Sequence, residues 1–243
     1  MSALYRRLYG SRFFAKSYTR LAGRASVSFF SEQLESNLLR HLPAGAGVLE
    51  VGSGPGLQAI EVVRRRPDVR LVASDFSRAF VRLGQENLAA ARKAAGTGLA
   101  PGSSLVFVQA DAMDLAGFSD SEFDAVYSIT AIKHFPDPVC GVGECLRVLK
   151  AGGRLVLSEF DRDCTHSDLL NLARLMHMPS WFRPLAARVI RSGVRHEAPS
   201  LSNVRQWLRA ANVADDQYQL APIAGYPVWI ATIVKQSRIS PGG

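Results

Sequence analysis

The sequence predicts an α/β protein: a Rossmann-like sheet of seven mostly parallel strands, helices on both faces, and an antiparallel hairpin at the C-terminal end. Three observations predict it. Short β-branched runs alternate with helical patterns between residues 47 and 160, which requires crossover connections and a parallel sheet covered on both sides. A glycine-rich turn, Gly52-Ser53-Gly54-Pro55-Gly56, follows the first of those runs directly. Two late apolar runs flank Ala224-Gly225-Tyr226-Pro227 and read as a hairpin at the sheet edge.

Residues 1–44 precede the first strand and are expected to form a helical lid. Residues 1–31 hold no acid, and Arg6, Arg7, Arg12, Lys16, Arg20 and Arg24 interleave with Leu4, Tyr5, Leu8, Tyr9, Phe13, Phe14, Tyr18 and Leu21. Such a segment suits an anionic membrane or the cover of an apolar acceptor, and equally an amphipathic lid with a solvated outer face. The core unit, 45–161, follows. Its strands are predicted at 47–53, 70–75, 104–111, 123–130 and 153–160, and its helices at 57–66, 77–95 and 138–150, the last ended by Gly152-Gly153. Residues 162–200, rich in Arg, Met and aromatics and broken by Pro179, Pro184 and Pro199, read as a helical insertion on the acceptor side. Residues 201–243 then supply a helix near 200–212 and strands near 216–223 and 227–235 that complete the sheet.

At 243 residues and 47% hydrophobic content, the chain is long enough for one domain with decorations. Cys140, Cys145 and Cys164 are odd in number and form no CxxC pair, and no His stands at metal-ligand spacing, so neither a disulfide framework nor a metal centre is expected. The longest charge-free run, 217–234, contains Pro222, Gly225 and Pro227 and reads as two strands and a turn, not a membrane span. The net charge of +8 is uneven: 1–47 carry 7 basic and 2 acidic residues, 48–161 carry 12 and 14, and 162–243 carry 10 and 5. The core is near neutral and its flanks are basic. A cytoplasmic location is expected, with peripheral membrane contact through the basic N-terminus left open; that segment also shares its composition with mitochondrial transit peptides.

A glycine turn between a strand and a helix is expected to present backbone N–H groups and a positive helix end to an anion. Dinucleotide sites share this trait, but their GxGxxG spacing would put its third glycine at Leu57. The spacing here is ExGxGxG, and Glu50 would repel a pyrophosphate while favouring a ligand with positive charge.

On these residues the chain resembles the class I S-adenosylmethionine-dependent methyltransferases, over roughly residues 45–235. "LEVGSGPG", "VASDFS", "QADAMDL", "FDAVYSITAIKHFPDP" and "LRVLKAGGRLVLSEF" are similar to that family's ordered motifs. The resemblance implies S-adenosylmethionine as cofactor. It implies Glu50 for the methionyl amino group, Gly52, Gly54 and Gly56 for close backbone approach, and Asp75 for the ribose hydroxyls. Phe76 would pack on the adenine, Asp111 with Ala112 would meet the adenine amino edge, and Ser128 on the fourth strand completes the set.

His134, just past the fourth strand, is the candidate base for an acceptor proton, with substrate contact or simple loop packing as the alternatives. Lys133 reads as an attractor for an anionic acceptor or as a solvated lysine, and Glu159 faces either the pocket or a helix. Met176, Trp181 and Phe182 suit an apolar acceptor pocket or the core of the added helices. Transfer to a small or lipid-like acceptor is expected, with oxygen weakly favoured as the methylated atom. The alternatives are an RNA methyltransferase, suggested by charge but lacking an appended RNA-binding motif, and a protein of this fold that uses the cofactor for other chemistry. The oligomeric state is not legible.

Overall fold

A computed structural model describes residues 27–94, 99–100 and 102–236. Seven strands form one sheet in the order β3-β2-β1-β4-β5-β7-β6: β1 Gly47–Val51, β2 Arg70–Asp75, β3 Ser104–Gln109, β4 Phe123–Ile129, β5 Leu149–Phe160, β6 Tyr218–Pro222 and β7 Val228–Val234. The first five pair in parallel, while β7 runs antiparallel to both β5 and β6. This is the predicted class.

Helices lie on both faces, each buried through its apolar stripe. Helix α1 (27–37) and the turn after it set Leu34 and Leu38 beside Val62 and Val63 of α2 (Leu57–Arg65) and Val81 and Leu88 of α3 (Arg78–Lys93) in one core. On the other face α4 (Pro138–Val148) and α7 (Leu201–Ala210) bury Val142, Cys145, Val204 and Leu208 against Leu49, Val126, Leu155 and Trp229. Helices α5 (His166–Leu175) and α6 (Arg183–Glu197) occupy the stretch read as an insertion. Their boundaries are local in origin: Thr165 and Asp168 form a reciprocal cap at α5, and Pro184 stands in the first turn of α6.

One predicted boundary is corrected. Helix α4 stops at Val148, and Leu149 already has extended backbone and pairs with Phe123, so the chain enters β5 four residues before the predicted start at 153. Gly152-Gly153 is therefore a register irregularity inside the strand rather than a helix cap. Gly152 has φ of 76° and its N–H donates to the Lys235 carbonyl, while a Cβ on Gly153 would crowd the Asp124 carbonyl.

The arginine-rich segment 6–24 lies outside the described residues. Among the described residues no helix is long and apolar enough to cross a membrane, and no cluster of His, Cys, Asp or Glu could hold a metal ion.

Candidate cofactor and acceptor site

Strand order reverses between β1 and β4, where open α/β sheets hold ligands at the C-terminal ends of their strands. A cavity of about 630 Å³ lies there. Its β1–β3 side carries Glu50, Gly52, Ser53, Gly54, Asp75, Phe76, Asp111 and Ala112. The other side is built from Phe29 and Phe30 of α1, Leu172, Leu175 and Met176 at α5, Ile190 of α6, and Tyr226 and Val228 of the hairpin. Phe29 and Tyr226 pack against each other with tilted rings, centroids 4.5 Å apart, joining α1 to the hairpin turn.

The glycine turn differs from expectation. Gly52 and Ser53 both donate to the Ser74 carbonyl at 2.8 Å, Gly54 donates to Asp75 Oδ2 at 2.8 Å, and Gly56 donates to the Ser53 carbonyl at 2.9 Å. These N–H groups serve the protein itself and form no phosphate cradle. Gly52, with φ of 80°, also allows close packing, since a Cβ there would collide with the Ala131 side chain. Gly56 does not line the cavity. A Cβ on it would strike the Phe107 ring, so its role here is to seat α2.

Glu50 is 2% exposed, and its Oε2 has no hydrogen-bond partner among the described residues. Burial pushes its carboxyl up to about 8, the neighbouring Tyr127 hydroxyl pulls it partly back, and Asp75 adds to the rise. An unpartnered carboxyl oxygen in a cavity wall fits the ammonium of an amino-acid ligand, which would supply the missing donor and the missing charge. The site thus fits the methionyl end of S-adenosylmethionine.

Asp75 is raised above the usual carboxylate range by burial, although Oδ2 accepts from Gly54 N–H and Oδ1 from Ser77 N–H, both at 2.8 Å. Each oxygen keeps a second lone pair for a hydroxyl. Ser77 caps α3, so Asp75 both supports that cap and faces the cavity. Phe76 is half exposed at the rim, and Asp111 Oδ1 accepts from Met113 N–H at 3.0 Å in a tight turn that holds Ala112 beside it.

His134 lines the cavity on a 3₁₀ turn, Ile132–His134. Burial, with the Lys133 charge adding to it, holds its imidazole down at about 3, so at neutral pH the ring is uncharged and weakly basic. Lys133 is neither a solvated lysine nor an unneutralised cation. Its Nζ lies 2.9 Å from Oε1 of the fully buried Glu159 and 5.0 Å from the centroid of the Phe160 ring. Glu159 accepts a further bond from Phe160 N–H at 2.8 Å and does not line the cavity.

Three other predicted contacts are not brought to the cavity. Ser128 shares the strand face of Val126, opposite to that of Glu50 and Ile129, and is fully buried away from the site. Trp181 is 81% exposed, and Phe182 meets it edge-on with ring centroids 5.6 Å apart; of the predicted trio, Met176 alone lines the cavity. The sequence reading missed Ser53, Thr130, Phe29, Phe30 and Tyr226. Ser53 lay within the turn already singled out, whereas Tyr226 reaches the site only through the hairpin fold.

The family described as "Methyltransferase domain" matches residues 49–157. A ubiquinone/menaquinone biosynthesis C-methyltransferase of Geobacter sulfurreducens is 37% identical over 117 residues, 48% of this chain and 42% of that protein. A 2-methyl-6-phytyl-1,4-hydroquinone methyltransferase of a Synechocystis species is 26% identical over 224 residues, 90% of this chain and 63% of that protein. Thus the matched part spans less than two thirds of the length of either relative. In fold, a structure from Methanococcus maripaludis described as an S-adenosyl-L-methionine-dependent methyltransferase superposes with a TM-score of 0.68 at 19% identity over 94% of both chains. Residues 49–157 thus match a methyltransferase family, and the glycine turn and strand order give the chain a fold similar to that of the Methanococcus structure.

Proposed function

We propose that this protein transfers a methyl group from S-adenosylmethionine to a ring carbon of a small aromatic acceptor, of the hydroquinone type and bearing an apolar tail. The observation that carries this reading is the two-sided cavity, with three carboxylates on the β1–β3 side and aliphatic and aromatic side chains opposite. Its volume, about 630 Å³, suits a small ligand pair held in one pocket. The relatives' names favour a ring carbon over the oxygen expected from sequence alone.

Bound there, the cofactor would supply an electrophilic methyl group on a sulfonium sulfur. Glu50 would hold the methionyl ammonium, Asp75 the ribose hydroxyls, Asp111 and Ala112 the adenine edge, and Phe76 the adenine face. The chain's part in the transfer is alignment of the ring carbon with the methyl group and exclusion of water by Phe29, Phe30 and Tyr226. A neutral His134 would orient a phenolic hydroxyl through one hydrogen bond. Its low basicity makes it a poor base for an alcohol, which favours an electron-rich ring needing little help to lose a proton.

An RNA acceptor is disfavoured because, among the described residues that line the cavity, the lysines and arginines are only Arg78 and Lys133, and Lys133 is paired with Glu159. The test is incubation of the protein with labelled S-adenosylmethionine and a set of hydroquinones of graded tail length, with the product's methyl position read by NMR. A ring-methylated product is expected, with preference for a tail. A methoxy product would overturn the carbon assignment, and absence of labelled product across the set would overturn the acceptor class.

A further inference from the structure

Helix α6 presents an apolar stripe that no described part of the protein covers. Trp181, just before the helix, and Leu185 and Val189 within it are 81%, 56% and 65% exposed and recur at intervals of four, along one helical face. Six large hydrophobic side chains are exposed among the described residues, and half of them stand on this line. Arg188 and Arg195, also exposed, run beside it, and neither takes part in an ion pair among the described residues. Between Asp168 and Glu197 the chain carries five arginines, two histidines and no acid. The opposite face is ordinary core: Ala186, Ala187 and Val194 are buried and Ile190 lines the cavity.

We propose that this face of α6 docks the protein onto an anionic lipid bilayer. Leu185, Val189 and Trp181 would enter the boundary between headgroups and acyl chains, and the guanidinium groups of Arg188 and Arg195 would meet lipid phosphates. Charge selects this occupant over the others. Residues 1–26 carry six cations and no acid, so laying them on α6 would bring like charges together, whereas an anionic surface attracts both. A second copy packed two-fold on α6 would set arginines against arginines. A nucleic acid would leave the apolar stripe without a partner. The inference goes beyond the proposed reaction and stands without it; for a tailed acceptor, it would set the helix that lines the acceptor side against the phase in which such a molecule dissolves.

Sedimentation of the full chain with phosphatidylglycerol or phosphatidylcholine vesicles tests this. Binding to the anionic vesicles alone, weakening as salt is raised, is expected. The double variant Arg188→Gln/Arg195→Gln should lower the partition roughly twenty-five-fold, the product of about fivefold for each cation at the interface. Leu185→Asn/Val189→Asn should lower it at least tenfold, while both variants keep wild-type affinity for S-adenosylhomocysteine. Vesicle binding unchanged in both variants would overturn the proposal, as would no binding to phosphatidylglycerol at low salt, or a dimer in solution that either variant dissolves. Methyl transfer to a short-tailed, water-soluble hydroquinone is read alongside. Transfer without vesicle binding overturns docking and leaves the reaction standing; vesicle binding without transfer overturns the reaction and leaves docking standing.

Discussion

Glu50 should release a proton when the cofactor binds, and the size of the effect follows from its burial. With its carboxyl pushed up to about 8, only about one molecule in eleven carries the charged form at pH 7. An ammonium placed against Oε2 selects that form and pulls the proton off. Between pH 6 and pH 7 the affinity for S-adenosylhomocysteine should therefore rise by roughly tenfold per pH unit, about 1.4 kcal/mol, and flatten as pH passes 8. Calorimetric titration at pH 7 in phosphate and in Tris, whose ionisation enthalpies differ widely, reads the proton count directly. About 0.9 proton should leave per ligand bound at pH 7, and about half a proton at pH 8. Glu50→Gln should abolish the buffer dependence and weaken binding. Equal heats in the two buffers, with an affinity flat from pH 6 to 8, would refute the assignment of Glu50 to the ammonium.

The same group makes a stability prediction. Its folded pKa, about 8, lies above the ordinary glutamate value of 4.5, so the folded state keeps a proton that the unfolded state has lost, and stability falls as pH rises from 4.5 through 8. Glu50→Gln should stabilise the fold by roughly 3 kcal/mol at pH 7, read by urea unfolding, with a gain that disappears near pH 4. The glycine turn separates strain from collision. Gly54→Ala meets open space and should lose about 1–2 kcal/mol from its positive φ, whereas Gly52→Ala also strikes Ala131 and should lose clearly more; equal losses would contradict the geometry. Lys133→Met strands the buried Glu159 carboxylate and should destabilise by roughly 3 kcal/mol, while adding Glu159→Gln should recover at least a third of the loss. A double-mutant cycle measures this, and additive losses would show that the pair is not coupled.

Most of the fold was legible because β-branched runs of strand length alternate with amphipathic helices, and this pattern survives burial on either face. The end of α4 was misread for a physical reason: a glycine pair after a helix resembles a cap, but here backbone pairing of Leu149 with Phe123 decides the local conformation. Within the site, Glu50, Asp75 and Asp111 were visible because the strand ends and the turns after them are fixed by local sequence. The partner of Lys133 was not, since Glu159 is 26 residues away and adjacent only through the pairing of β4 with β5. Ser128 was misplaced by the strand's period of two, where one residue decides the face. Trp181 was misplaced because composition gives no sign of which way a loop before a helix turns its aromatic side chain.

Asp75 has a consequence for redesign. Its two oxygens bridge Gly54 N–H after β1 and Ser77 N–H at the start of α3, so the walls on either side of the proposed ribose site are latched together by the residue that would read the ribose. Any attempt to retune this protein toward donor analogues with an altered sugar by replacing Asp75 will also open that latch. Specificity and scaffold are not separable at this position. Laboratory evolution toward such donors should find its routes around Asp75, through the residues that surround the sugar, and leave the aspartate in place.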